Sequence, residues 1–194
     1  MPSQKSRSDA TRDLLLAAFR QSLHDVGLEA TTTASVLAQT GLSKGALYHH
    51  FSSKIEIIEA IYRAESHGAI ERALARVDAQ APPLERLKRS CEGWLIEVRD
   101  PAVSRILFEI GPAAIGFAAA QRIENEFSLA LFERLLREID RDGPIAVADP
   151  PSAARLLNAM MAELALISRA RRGEAIADAG RLIEAVLKGL ENPD

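Results

Sequence analysis

Between Thr33 and Phe51 the chain reads Thr-Ala-Ser-Val-Leu-Ala-Gln-Thr-Gly-Leu-Ser-Lys-Gly-Ala-Leu-Tyr-His-His-Phe, and its side chains fall into two sets. Val36, Leu37, Leu42, Leu47 and Phe51 are spaced to pack inward against a neighbouring helix. Lys44, Gly45, Ala46, Tyr48, His49 and His50 are left facing outward. That outward set suits a nucleic-acid duplex. Gly45 and Ala46 are small enough to let a helix backbone approach base edges, while Lys44, Tyr48 and the histidines carry donors for phosphates or bases. Ser43 caps the helix that presents them, and a helix N-terminus favours an anion. Thr33 and Lys54, at the starts of the flanking helices, are further phosphate candidates. A small helical hairpin with merely solvated polar residues is the competing reading.

No catalytic constellation competes with this one. The sequence holds no phosphate-binding glycine loop, nucleophile elbow or paired metal motif, so no enzyme activity and no cofactor is expected. His49 and His50 are adjacent, and consecutive helical residues point about 100° apart, which is the wrong geometry for a metal clamp. Cys91 is the single cysteine and cannot form an intramolecular disulfide. It falls on an apolar stripe, which favours an inert buried thiol over a redox sensor.

The elements that must hold the outward set are helices. Hydrophobic residues make up 47% of the 194 positions, aromatics only 5%, and the apolar share is largely Ala, Leu and Ile. An all-α fold follows from that usage. The first 54 residues carry six basic groups against four acidic ones, a net of +2, which leaves −5 for the rest of a chain whose net charge is −3. An acidic body repels DNA while the N-terminal module approaches it. The polar N-terminus has no apolar signal core, and no apolar run approaches the roughly 18 residues of a membrane span, so a cytoplasmic protein without membrane contact is expected.

Along the chain, residues 1–8 read as a flexible arm with Lys5 and Arg7, or as an ordinary frayed terminus. Ala10, Leu14, Leu15, Ala18, Phe19, Leu23 and Val26 then follow helical spacing up to Gly27. Thr31-Thr32-Thr33 caps a short helix that must stop near Gly41, and Ser52-Ser53 caps a long one through Ile55, Ile58, Ile61 and Tyr62. Pro82-Pro83 precedes the stripe Leu84, Leu87, Cys91, Trp94, Leu95 and Val98. Pro101 opens a helix that Gly111-Pro112 interrupts, Gly116 is a second weak point, and 140–151 reads as a loop. Two last helices carry Leu156, Leu157, Met160, Met161, Leu164 and Ile167, then Leu182, Ile183, Val186, Leu187 and Leu190. About eight or nine helices are expected in all.

The string from Gly41 to Lys54, preceded by the threonine cap and Val36-Leu37-Ala38, resembles the DNA-binding signature of the TetR family of transcriptional repressors. The likeness covers about residues 9–56, with Thr40 standing where alanine is common. It implies a helix-turn-helix domain over 1–55, arm included, and a helical regulatory domain over 56–194 in which 151–190 dimerise as part of a four-helix bundle. It implies a homodimer on a partly palindromic operator, released by a small-molecule inducer. Carried over, Thr33, Tyr48, His49 and Lys54 become phosphate contacts, with Ser43 at the helix start and Lys44, Gly45 and Ala46 nearest the bases. Stripes serving only an intramolecular core are the alternative for the last two helices. For the whole chain, the alternative is a helical interaction module without sequence-specific DNA binding.

Residues 56–150 are expected, by the same resemblance, to house the inducer. Tyr62, Trp94, Phe108, Phe117 and Met160 are the candidate lining, each also explicable as core. Gly111-Pro112 reads as a connector or a pocket rim. Arg105 and Glu109, four apart, read as a surface ion pair or a polar ligand clamp.

Overall fold

A computed structural model describes residues 4–143, 145–170 and 176–189. The order of elements is α1 (Gln4–Ala30), α2 (Thr33–Thr40), α3 (Lys44–His50), α4 (Lys54–Leu74), α5 (Pro83–Glu97), α6 (Pro101–Arg105), a π-helical turn (Ile106–Ile110), α7 (Gly111–Ile115), α8 (Phe117–Asp142), α9 (Pro150–Ala170) and α10 (Ile176–Gly189). No β-strand occurs among the described residues, and the fold is all-α as the composition requires. No described helix is long and apolar enough to cross a membrane, and no described cluster of His, Cys, Asp and Glu could hold a metal ion.

The chain groups into two units, one of residues 1–65 and 105–120, the other of 66–104 and 121–194. Helix α4 is unbroken at 55–56, and the division falls inside it after Glu65.

In the first unit, Leu15, Phe19 and Leu23 of α1 are fully buried with Val36, Leu47, Phe51, Ile57, Ile58 and Tyr62. Helices α2 and α3 both pack on α1. The stripe is narrower than its sequence suggested: Leu14, Val26 and Ile55 are exposed, and Leu37 and Leu42 are half-buried. The stretch read as an arm is helical from Gln4, with the Thr11 hydroxyl donating to the Arg7 carbonyl at 2.9 Å; its residues 1–3 and Leu190 lie outside the described residues. Arg20 pairs with the buried Glu65, tying α1 to α4.

Gly111-Pro112 does not interrupt the helix that Pro101 opens. The chain widens into the π-turn, where the Gly111 N–H donates to the Ile106 carbonyl five residues back, and then continues as α7. A wide turn accommodates Pro112, which has no N–H to donate and would crowd the preceding turn of a regular helix. A Cβ on Gly111 would fall inside the Tyr62 ring.

In the second unit, α5 lies against α10 and α9 around Leu87, Cys91, Leu95, Leu157, Met161, Ile183 and Leu187. Gly93 lets α5 approach Ala73 of α4, with a Cβ placed there 3.3 Å from that backbone. Glu97 is held by Arg72 and Arg76, each at 2.5 Å, and Arg86 meets Glu138 of α8 at 2.8 Å. The loop expected at 140–151 is shorter, because Pro150 serves as the first residue of α9.

Burial pushes the Cys91 thiol up to about 12, with Glu92 adding to the effect. At pH 8 the thiolate is then on the order of one part in 10⁴. Iodoacetamide is expected to leave Cys91 unmodified in the folded protein and to label it only after unfolding. Labelling of the native protein at the rate of a free thiol would contradict this.

Candidate nucleic-acid interface

The pair α2–α3 is defined by local hydrogen bonds. Thr32 is the N-cap of α2: its hydroxyl accepts from the Ser35 N–H at 3.0 Å, and the Ser35 hydroxyl accepts from the Thr32 N–H at 3.1 Å. Two otherwise orphaned donors are satisfied at once. Gly41 ends the helix at φ 70°, where its N–H donates to the Leu37 carbonyl at 3.0 Å. Nothing lies within 4 Å of a Cβ built there, so the glycine answers to its left-handed backbone and not to lack of room. Ser43 then caps α3, accepting from the Ala46 N–H at 3.1 Å.

Helix α3 has only 7 residues, and tertiary anchoring holds it. Leu47 and Phe51 are buried, which turns 44, 45, 48 and 49 outward on one face. Lys44, Gly45 and His49 are exposed, Tyr48 is 48% exposed, and Ala46, His50 and Thr33 are half-buried. The Lys44 ammonium lies 5.7 Å from the centroid of the Tyr48 ring, and the His49 and His50 rings stand edge to face at 5.0 Å. A Cβ on Gly45 would meet only the Ser43 hydroxyl at 3.8 Å, an ordinary contact, so the fold itself does not demand glycine there.

Lys54 is placed differently from the rest. Its ammonium donates to the Leu28 carbonyl at 2.6 Å, at the C-terminal end of α1, which leaves two of its three N–H groups for other partners. Two further residues belong to this end of the molecule and were missed in the sequence. Glu56 accepts from the Ser52 N–H and hydroxyl, both at 2.6 Å, and the Ser53 hydroxyl accepts from the Glu56 N–H at 3.1 Å. The Ser52 hydroxyl, then the Ser52 N–H, and then the Arg12 charge hold its carboxyl below the usual range. The spacing Ser53-x-x-Glu56 is the signal that could have found it. Arg12 lies 5.3 Å from the centroid of the Phe51 ring, a cation brought from α1 to the end of α3 that no local pattern announces.

The five residues expected around an inducer are divided between the two units. Tyr62, Phe108 and Phe117 belong to the first unit, Trp94 and Met160 to the second. Tyr62 is fully buried against Gly111, and Phe117 is 74% exposed, because Gly116 ends α7 and leaves Phe117 on the first turn of α8. Arg105 reaches the His24 carbonyl of α1. In the second unit an open groove of about 490 Å³ is lined by His67, Ile70, Leu74, Phe127, Leu131 and Arg134, and the His67 ring stacks on Phe127 with centroids 4.4 Å apart. Helices α9 and α10 also keep apolar side chains outward: Leu156 is 52% exposed, Leu166 48% and Leu182 42%.

Residues 15–61 match the family model described as bacterial regulatory proteins, tetR family, and residues 84–190 match the one described as tetracyclin repressor-like, C-terminal domain. The HTH-type transcriptional repressor KstR2 of Mycolicibacterium smegmatis is 34% identical over 86 residues, covering 44% of this chain and 42% of that protein. The match therefore spans less than half the length of that relative. The HTH-type transcriptional repressor BepR of Brucella suis is 26% identical, with 100% of this chain and 98% of that protein covered. Among solved structures, a TetR transcription regulator from Haloarcula marismortui superposes with a TM-score of 0.74 at 14% identity, over 95% of this chain and 100% of that one.

Proposed function

The chain belongs to the TetR family of bacterial regulatory proteins, and from that premise we propose that it is a transcriptional repressor that binds a near-palindromic operator as a homodimer and leaves it when a small molecule binds. The observation that carries this reading is α3: a 7-residue helix anchored by Leu47 and presenting Lys44, Gly45, Tyr48 and His49 on one exposed face. Lys44, Gly45 and Ala46 approach base edges in the major groove, with Ser43 at the helix start. Gly45 gives its space to a partner, since no side chain of the protein needs it. Thr33, Tyr48 and His49 meet phosphates, and Lys54 adds its remaining donors from its seat at Leu28. Arg12 joins the phosphate set.

Residues 1–55 form the DNA-binding module, and 56–194 form the regulatory body. Leu156, Leu166 and Leu182 are covered by the same helices of a second copy, as suits exposed apolar side chains repeated along two neighbouring helices. The inducer enters the groove beside His67 and Phe127, whose volume of about 490 Å³ lies in the range of ligand sites. Operator favours a dimer with recognition helices at groove spacing, and inducer favours one with them displaced.

The experiment is selection of genomic fragments by the purified protein at physiological salt. Repeated recovery of one short, near-palindromic site is expected, bound at least 10³-fold tighter than random DNA. Uniform weak retention would instead make the chain an interaction module. On the recovered site, Tyr48→Ala is expected to weaken binding alike for all sequences, while Lys44→Ala also relaxes base preference by about 1–3 kcal/mol at the position it reads. Unchanged affinity of both variants in a fluorescence titration would remove α3 from the interface.

A further inference from the structure

Helix α1 is kinked at Gly27, whose φ of 85° and ψ of −179° are not helical. Beyond that residue the chain makes one more turn and enters the cap of α2. Three carbonyls around this joint accept hydrogen bonds from side chains. The Gly27 carbonyl accepts from the Thr31 N–H at 3.2 Å and from the Thr31 hydroxyl at 2.7 Å. The Leu28 carbonyl accepts from Lys54 at 2.6 Å. The His24 carbonyl accepts from the guanidinium of Arg105, a residue 81 positions away.

Arg105 is the last residue of α6 and leads directly into the π-turn, whose Ile106, Leu107 and Ile110 are buried and which packs against α1. Gly27 makes room for it: a Cβ there would lie 3.2 Å from Arg105 Nη2. A cation at a helix C-terminus is favourable both as a donor to the orphaned carbonyls and as a charge at the negative end of the dipole. Thr31, which is fully buried, ties this joint to the Ser22 hydroxyl at 2.9 Å and immediately precedes Thr32, the cap of α2. The end of α1 therefore sets where the helix-turn-helix begins.

We infer that Arg105 is a positioning residue for DNA binding: by capping the His24 carbonyl it holds the α1–α2 joint, and with it α2 and α3, in the register that meets the groove. This rests on the DNA-binding reading above. It gives a residue distant in sequence from the helix-turn-helix a role that no side chain touching DNA has to perform. The π-turn that follows Arg105 fixes its direction, because a wide turn re-phases the side chains on either side of it.

The test compares the wild-type protein, R105M and R105K on a fragment selected by the wild type, with amide exchange followed over residues 24–33. R105M is expected to bind at least tenfold more weakly, with faster exchange across the joint and α5–α10 exchange unchanged. R105K, which restores a cation at the helix end, is expected to recover most of the affinity. If R105M does not fold, R105Q takes its place, keeping the stem and an amide donor. Wild-type affinity and unchanged exchange in the neutral variant would overturn the inference while leaving the DNA-binding reading intact. A wild-type protein that selects no fragment would overturn both.

Discussion

Replacing Leu47 with alanine is expected to destabilise the first unit by about 2–5 kcal/mol and to abolish tight DNA binding. Leu47 is fully buried, and it is the central residue of a helix only 7 residues long. So short a helix has almost no stability of its own, and its position depends on what its apolar face touches. Truncation leaves a cavity that neighbours on α1 fill only in part. A domain with a stability of about 5–15 kcal/mol spends much of its margin on such a change. Denaturant unfolding and operator titration at the same temperature give the comparison. Tyr48→Ala, on the exposed face, should leave stability within about 0.5 kcal/mol of wild type while weakening binding. A Leu47→Ala protein as stable as wild type, with unchanged affinity, would show that α3 is not held in this way.

The second large effect is expected at Leu156. This side chain is 52% exposed, so a glutamate there costs the isolated protomer little. In a dimer that covers α9 and α10 the same carboxylate would be buried without a partner, and such a charge is strongly unfavourable. Leu156→Glu should sediment as a monomer at micromolar concentration, where the wild type is expected to be a dimer. A monomer engages one half-site only. Its affinity should fall from the range of specific complexes, about 10⁻⁸–10⁻¹¹ M, towards the non-specific range of about 10⁻⁴–10⁻⁶ M. A variant that remains dimeric would move the interface away from Leu156, and one that is monomeric yet binds as tightly as wild type would remove the need for two copies.

Much of the candidate interface was legible without coordinates, and the reason is that its determinants are local. Thr32, Gly41 and Ser43 act through hydrogen bonds to groups no more than four residues away, so composition and spacing carry the information. The all-α fold was legible in the same way, from helical spacing on each stripe. The family likeness rested on these residues too, and the match over residues 15–61 bears it out.

Other features depend on partners far along the chain. Lys54 and Arg105 are both cations at helix ends in the sequence, and nothing in their neighbourhoods says that each would be drawn to a carbonyl at the end of α1. Gly111-Pro112 reads as a break wherever it occurs. Only the Tyr62 ring pressed against Gly111 and the widened turn before it keep the helix running. Phe117 has the composition of a pocket residue and stands exposed, because a residue's surroundings are set by which helices meet and not by its own apolarity. Hydrogen bonds within a turn are written in adjacent residues, so the caps and turns of α2 and α3 could be read from the chain alone. Which carbonyl a distant guanidinium reaches, and which ring fills the space beside a glycine, are decided by packing, and folding had to bring those residues together first.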